Sequence, residues 1–241
     1  MIYLVAGTRP NFMKIAPIWR TLHARDRATR LMHTGQHFDA TMSDVFFRDL
    51  GMPVPDARLE VGGGSHAQQT AAVLVGVEAD LTRNRPDIVV VVGDVTSTLA
   101  AALAASKLGI PVVHVEAGLR SRDWTMPEEI NRVLTDQLAD LLLTPSHDAE
   151  LNLIAEGVPK ERICFVGNVM IDSLHRAREH PTDVVARFDL SRRGFALATL
   201  HRAANVDSAA QLSATLDAIE TVSSRIPLLF SEASGSIVGV S

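Results

Sequence analysis

Pro86 to Arg132 reads PDIVVVVGDVTSTLAAALAASKLGIPVVHVEAGLRSRDWTMPEEINR, and this stretch decides the fold. Ile88 to Val92 is an uninterrupted β-branched run, which suits a strand buried on both faces better than one with a wet side. Gly93 and Asp94 end it. Thr96 to Leu108 then carries alanines and leucines at helical spacing until Gly109 supplies a helix stop, and Pro111 to Val115 makes a second strand. Strand, helix and strand in so few residues form a βαβ crossover, so the two strands run parallel and their carboxyl ends share one edge of the sheet. Asp94 and Glu116 fall at those two ends. Ligands of open α/β sheets bind in the crevice outside the carboxyl ends, so both residues are candidates for chemistry.

The whole chain fits this reading. With 46% hydrophobic and 21% charged residues, its 241 residues have the composition of an ordinary globular protein. A net charge of −5 without a basic stripe argues against nucleic acid as a partner. No apolar run approaches the roughly 20 residues of a spanning helix, and MIYLVAGTRP reads as a strand entering a turn rather than a signal peptide; the expectation is a cytoplasmic protein without a membrane partner. The single cysteine, Cys164 in RICFVG, rules out an internal disulfide framework or a multi-cysteine zinc site and reads as a buried strand thiol.

Upstream, Ile2 to Ala6 is a strand, Gly7-Thr8-Arg9-Pro10 a turn and Phe12 to Leu22 a helix. This is neither a P-loop nor a dinucleotide fingerprint. The helix start, with Arg9 and Lys14 beside it, either holds a phosphate or carboxylate or carries two solvated charges; the turn alone leaves both open. Arg30 to Thr34 is a second strand, followed by Gly35-Gln36-His37 and a helix from about Ala40 to Leu50. Gly51 to Ser65 is a Pro/Gly-rich connection, and Ser65 caps a helix running to about Asn84.

Downstream, a helix begins near Met126 with an apolar face of Ile130, Leu134, Leu138 and Leu141. Glu128 has three readings: the last member of a Thr125 capping box, the partner of Arg132 in a surface ion pair, or a group at the crevice, toward which Asn131 and Arg132 also point if the helix starts at its rim. Leu141 to Pro145 and Arg162 to Val166 are further strands, with a Ser146-capped helix between them, and Val169 to about Glu179 is a helix. His180 to Asp183 looks like a linker. After it come a strand at Phe195 to Leu200, a long helix capped by Asp207 and a strand at Ile226 to Phe230; Ser231 to Ser241 carries no further periodic element. The alternation predicts an α/β fold, a Rossmann-like doubly wound parallel sheet of about six or seven strands over residues 1–168, and an incomplete second α/β unit over 169–241.

Seven motifs taken in order, GTRPNFMK (7–14), TGQH (34–37), GDVTST (93–98), HVEAGLRS (114–121), MPEEINR (126–132), GNVMID (167–172) and TLHRAANVD (199–207), resemble the non-hydrolysing UDP-N-acetylglucosamine 2-epimerases from Met1 to about Phe230. The resemblance implies the first half of a glycosyltransferase-B-type fold of two Rossmann-like domains with the active site between them. It also implies a homodimer, a UDP-sugar substrate, and no cofactor and no metal. The implied reaction interconverts UDP-GlcNAc and UDP-ManNAc by elimination of UDP to 2-acetamidoglucal and re-addition. It matches Asp94, Glu116, Glu128, Arg132, Lys14 and His201 to catalytic positions, Arg9, Lys14, Asn168, His201 and Arg202 to substrate-binding ones, and Gln36 and His37 to an effector-binding segment. Which carboxylate is acid and which is base stays open.

Val95 stands where the family often has threonine. After Phe230 the family continues with a Pro-x-His-Pro segment, a Ser-Gly-Gly loop and a distal arginine and glutamate that grip the UDP, whereas this sequence reads SEASGSIVGVS. Three other readings remain: a catalytically inactive nucleotide-sugar-binding or dimerisation module, a glycosyltransferase of the same gross fold, and a metal hydrolase using His114 and Glu116 of an H-x-E pattern, which lacks the P-C-x-x-C partner.

Overall fold

The computed structural model describes residues 1–35, 47, 50–61, 63–179, 184–191, 193–199, 208–231 and 237–240. The chain falls into two compact units, Met1–Arg178 and Glu179–Ser241.

The first unit is built on seven strands: β1 (Ile2–Ala6), β2 (Thr29–His33), β3 (Ala57–Arg58), β4 (Ile88–Val92), β5 (Val112–Val115), β6 (Leu141–Thr144) and β7 (Ile163–Phe165). Their order across the sheet is β3-β2-β1-β4-β5-β6-β7, and every pairing is parallel. This is the doubly wound α/β sheet that the alternating pattern predicts. The order reverses between β1 and β4, the topological switch point.

The valines of β4 show why the run must be apolar throughout. Val89 and Val91 enter one core with Tyr3, Val5, Val112 and Leu142, while Val90 and Val92 enter the other with Leu4, Ala6, Val113 and Val115. Each such burial contributes about 1.5–3 kcal/mol. The first core is covered by α2 (His66–Arg83) and α3 (Thr96–Lys107), and Leu153 of α5 (His147–Ala155) joins it. The alanines of α3, Ala100, Ala101, Ala102, Ala104 and Ala105, are all buried, so this helix lies close to its neighbours with small residues on every side. The second core takes Phe12, Ile15 and Ala16 from α1 (Arg9–His23), together with Phe47 and Met52.

Several expectations change. The Pro/Gly-rich connection contains the two-residue strand β3, anchored where Leu59 N–H donates to His33 O; two residues are too few for a periodic signal. The helix after β7, α6 (Met170–Glu179), packs within the first unit: Ser173 Oγ donates to Met13 O at 2.5 Å and Val169 rests on the second core. The first compact unit runs to Arg178, near the end of this helix. Cys164 is exposed, not buried, because β7 is the sheet's outermost strand and only Ile163 packs inward. The helix predicted from Ala40 lies almost wholly outside the described residues.

The largest revision concerns α4 (Pro127–Leu138). Of its expected apolar face, Leu138 and Leu141 pack on the cores, but Ile130 and Leu134 are 40% and 46% exposed, while Glu129, Thr135 and Asp136 are buried. The helix turns its polar face to the molecule because that face meets charged partners at the strand ends.

In the second unit, β8 (Ala196–Thr199) pairs parallel with β9 (Leu228–Ser231), and α8 (Ala209–Ser223) links them after the short α7 (Val184–Arg187). Ser208 supplies the cap, its Oγ accepting from Gln211 N at 3.1 Å, in place of the predicted Asp207, which is outside the described residues. A strand not foreseen, β10 (Ile237–Val240), pairs antiparallel with β9. No helix among the described residues is long and apolar enough to cross a membrane.

Candidate functional site

Asn11, an N-terminal residue of α1, joins the two strands that flank the switch point. Its Oδ1 accepts from Gly7 N at 3.1 Å and Thr8 N at 3.0 Å, and its Nδ2 donates to Val92 O at 3.2 Å. Buried to 2% exposure, it shapes the turn after β1 and fastens it to the end of β4. The sequence reading passed over it, although a polar residue three positions after a Thr at a helix start is a capping signal. Gly7 allows this closeness, since a Cβ there would lie 2.5 Å from Ser97 Oγ.

One turn further along α1, Lys14 is buried and its Nζ forms an ion pair with Glu116 Oε2. Glu116 follows β5 with φ of +72°, a left-handed backbone that a non-glycine residue adopts at a cost of about 1–3 kcal/mol. That cost is borne at one of the two carboxylates at the crevice. Gly93 lies beneath the pair: a Cβ there would stand 2.9 Å from Lys14 Nζ and 3.4 Å from Glu116 Oε2. With φ of +66°, Gly93 also needs the freedom of glycine.

Asp94 receives two residues of α4. Arg132 NH2 donates to its Oδ2 at 2.5 Å, and Asn131 Nδ2 donates to its backbone O at 2.9 Å. Asn131 and Arg132 thus point where the crevice reading put them. Arg132 also pairs with Glu129 Oε2 at 3.0 Å rather than with Glu128. Neither local explanation of Glu128 holds, because Met126 occupies the cap position without a side-chain cap and the Thr125 hydroxyl donates to Asp123 Oδ1. Glu128 is exposed at the start of α4. The buried carboxylate is its neighbour Glu129, which accepts from Ser121 N, Ser121 Oγ and Arg122 N and so holds the loop before the helix. Burial pushes the Glu129 pKa up, but these donors and Arg132 outweigh it and hold it below the usual range.

Behind the carboxylates is a network that sequence reasoning saw only as an H-x-E pattern. His114, fully buried, has Nδ1 2.6 Å from Asp136 Oδ1 and Nε2 2.8 Å from Gly93 O. Asp136 Oδ2 accepts from Gly118 N at 3.0 Å and from Arg120 NH1 at 2.7 Å, and Arg120 continues to Glu156. Burial raises the Asp136 pKa, yet the hydrogen bond from His114 and the charge of Arg120 leave it below the ordinary carboxylate value. With both ring nitrogens engaged, His114 offers no lone pair to a metal. Among the described residues no group of three His, Cys, Asp or Glu side chains could hold a metal ion.

Arg9, half-buried, is the first residue of α1. Asn168 is exposed in the turn after β7, its Oδ1 accepting from Met170 N at 2.9 Å. Gln36, His37, His201 and Arg202 lie outside the described residues. Lys14, Asp94, Glu116 and Arg132 therefore come together as two ion pairs at the ends of β4 and β5, with Asn11 at the switch point.

Residues 20–234 match the sequence profile of the family described as UDP-N-acetylglucosamine 2-epimerase. Similar proteins include the UDP-2,3-diacetamido-2,3-dideoxy-D-glucuronate 2-epimerase of Pseudomonas aeruginosa, 43% identical over 92% of this chain and 63% of that protein. Another is the UDP-N-acetylglucosamine 2-epimerase of Methanocaldococcus jannaschii, 42% identical over 90% of this chain and 60% of that protein. Among solved structures, a Methanocaldococcus jannaschii UDP-GlcNAc 2-epimerase in complex with UDP-GlcNAc and UDP superposes with a TM-score of 0.85 at 40% identity, covering 96% of this chain and 65% of that one. The Neisseria meningitidis UDP-GlcNAc 2-epimerase bound to UDP-GlcNAc gives 0.86 at 27% identity, covering 96% of this chain and 65% of that one. The chain spans about three fifths of the length of the curated relatives it matches.

Proposed function

We propose, from the premise that this chain belongs to the UDP-N-acetylglucosamine 2-epimerase family, that its first unit carries the acid/base half of a nucleotide-sugar 2-epimerase site. The observation that carries this reading is the pairing of Lys14 with Glu116 and of Arg132 with Asp94 at the carboxyl ends of adjacent strands. Inverting C2 of a 2-acetamido sugar requires a proton to leave one face and return to the other. A route through elimination of UDP to a 2-acetamidoglucal and re-addition needs carboxylates at the sugar and cations at the departing diphosphate.

In this reading Asp94, Glu116 and Glu128 move protons. Lys14 and Arg132 orient two of these carboxylates in the resting site and turn toward the charge that develops on UDP. Arg9, at the amino end of α1, adds its charge to the free N–H groups of that helix end to hold a phosphate. His201, Arg202 and Asn168 complete the grip on substrate, and Gln36 and His37 meet an effector nucleotide sugar. The protein works as a cytoplasmic homodimer on a UDP-sugar without a cofactor.

The substrate is UDP-GlcNAc or a UDP-2-acetamido sugar of the kind named for the Pseudomonas aeruginosa relative. Incubation with UDP-GlcNAc and with the diacetamido glucuronate, followed by chromatographic detection of the C2 epimer, tests the reading; conversion of one supports it, and conversion of neither contradicts it. A second reading has its own support. The chain spans about three fifths of its relatives, and among the described residues of the second unit only Leu228 and Leu229 are buried apolar side chains. An inactive nucleotide-sugar-binding or dimerisation module predicts UDP binding and self-association without epimer formation.

A further inference from the structure

We propose that His114 is a positioning residue whose two ring nitrogens both donate, one to Asp136 and one to the Gly93 carbonyl, and so fix the loop presenting Asp94. Both contacts of the ring are with acceptors. Gly93 O, 2.8 Å from Nε2, is a carbonyl and can only accept. Asp136 Oδ1, 2.6 Å from Nδ1, belongs to a carboxylate whose other oxygen already accepts from Gly118 N and Arg120 NH1. An ionised carboxylate offers no proton, so each ring nitrogen must supply its own.

The clamp sits where it can act on the site. Gly93 O is one peptide from Asp94, and Glu116 is two residues beyond His114 on the same chain segment. Helix α4 supplies both Arg132 to Asp94 and Asp136 to His114, four residues apart and so on one face. A single helix face thereby ties the carboxylate to its cation and the loop to its anchor. The site's function rests on the epimerase reading, but the protonation of His114 does not.

The test begins with long-range ¹H–¹⁵N spectra of the imidazoles in the uniformly labelled chain. Both nitrogens of His114 are expected to be protonated; one unprotonated nitrogen overturns the proposal. His114→Gln identifies the signal and is expected to shift the amides of Gly93 and Asp94 while leaving those around Tyr3 and Asp80 in place. Unmoved Gly93 and Asp94 amides also overturn it. Should that variant not fold, Asp136→Asn replaces the carboxylate acceptor of Nδ1 and is expected to leave His114 with a single ring proton; an unchanged doubly protonated ring counts against the clamp. Where the unmodified chain turns over UDP-GlcNAc, His114→Gln lowers kcat on the order of 10-fold or more with KM within about twofold. Absence of turnover of both UDP-GlcNAc and the diacetamido glucuronate in the unmodified chain sinks the epimerase reading and leaves the spectra to decide the clamp.

Discussion

Glu116 carries more of the account than any other residue, since it combines a left-handed backbone with a buried cation on its carboxylate. Glu116→Gln keeps the size and removes the charge, so epimer formation should fall by roughly 10²- to 10⁴-fold while the unfolding transition moves little; steady-state rates beside a thermal melt check both. Asn11 is the structural counterpart. Replacing it by alanine leaves Gly7 N and Thr8 N without their buried acceptor, while Val92 O keeps the Thr98 hydroxyl, and should cost about 1–3 kcal/mol in urea unfolding. His33 gives a pH signature. Burial and the nearby Arg58 charge lower its pKa to about 4, so it stays neutral in the folded chain while the unfolded chain takes up a proton near pH 6.5. Between those values the unfolded state binds more protons, and stability should decline as pH falls from about 6.5 to about 4, at up to about 1.4 kcal/mol per pH unit. His33→Gln should flatten that part of the profile; urea unfolding across the range measures it.

Helix α4 inverts the usual rule for an amphipathic element. Its apolar Ile130 and Leu134 are exposed, while Glu129, Arg132 and Asp136 face inward to Ser121, Asp94 and His114. Leu134→Ala should therefore change stability by no more than about 0.5 kcal/mol. Asp136→Ala takes the buried anion from His114 and from Arg120, which keeps Glu156, and should cost about 3–5 kcal/mol; chemical denaturation of the two variants side by side distinguishes this helix from one that packs by its apolar stripe. The same inversion marks where the sequence is readable. The β4 valines announce a strand buried on both faces, and the spacing of Gly93-Asp94 and Val115-Glu116 puts two carboxylates at one sheet edge before any coordinates are known. Periodicity ranks residues by polarity alone, so it assigns the buried face to Ile130, Leu134, Leu138 and Leu141, of which only the last two pack inward. It had no means of seeing that Asp136, Arg120 and His114, distant in sequence, satisfy one another. Asn11 and Glu129 escape the sequence reading because many of their partners are backbone groups, which every residue carries. Cys164 was misjudged because nothing local says that its strand lies outermost.

The two units differ in how much they bury. The first has apolar cores on both faces of a seven-stranded sheet, whereas in the second, α8 has no buried residue and Leu197 and Leu216 are 65% and 50% exposed. Amides of β8, α8 and β9 should exchange with solvent deuterium well before those of β1, β4 and β5, as read by mass spectrometry of the intact chain; equal protection would contradict the burial argument. The matched relatives are longer, and the chain covers 63% or less of each of those first aligned. The most direct measurement is the fate of the C2 hydrogen when the chain is incubated with UDP-GlcNAc in deuterium oxide. Proton removal and return at Asp94 and Glu116 predicts deuterium at C2 of recovered UDP-GlcNAc and of the UDP-ManNAc formed with it, lost together in Glu116→Gln. UDP-ManNAc that appears with its C2 hydrogen retained, or C2 exchange that persists in Glu116→Gln, would contradict it.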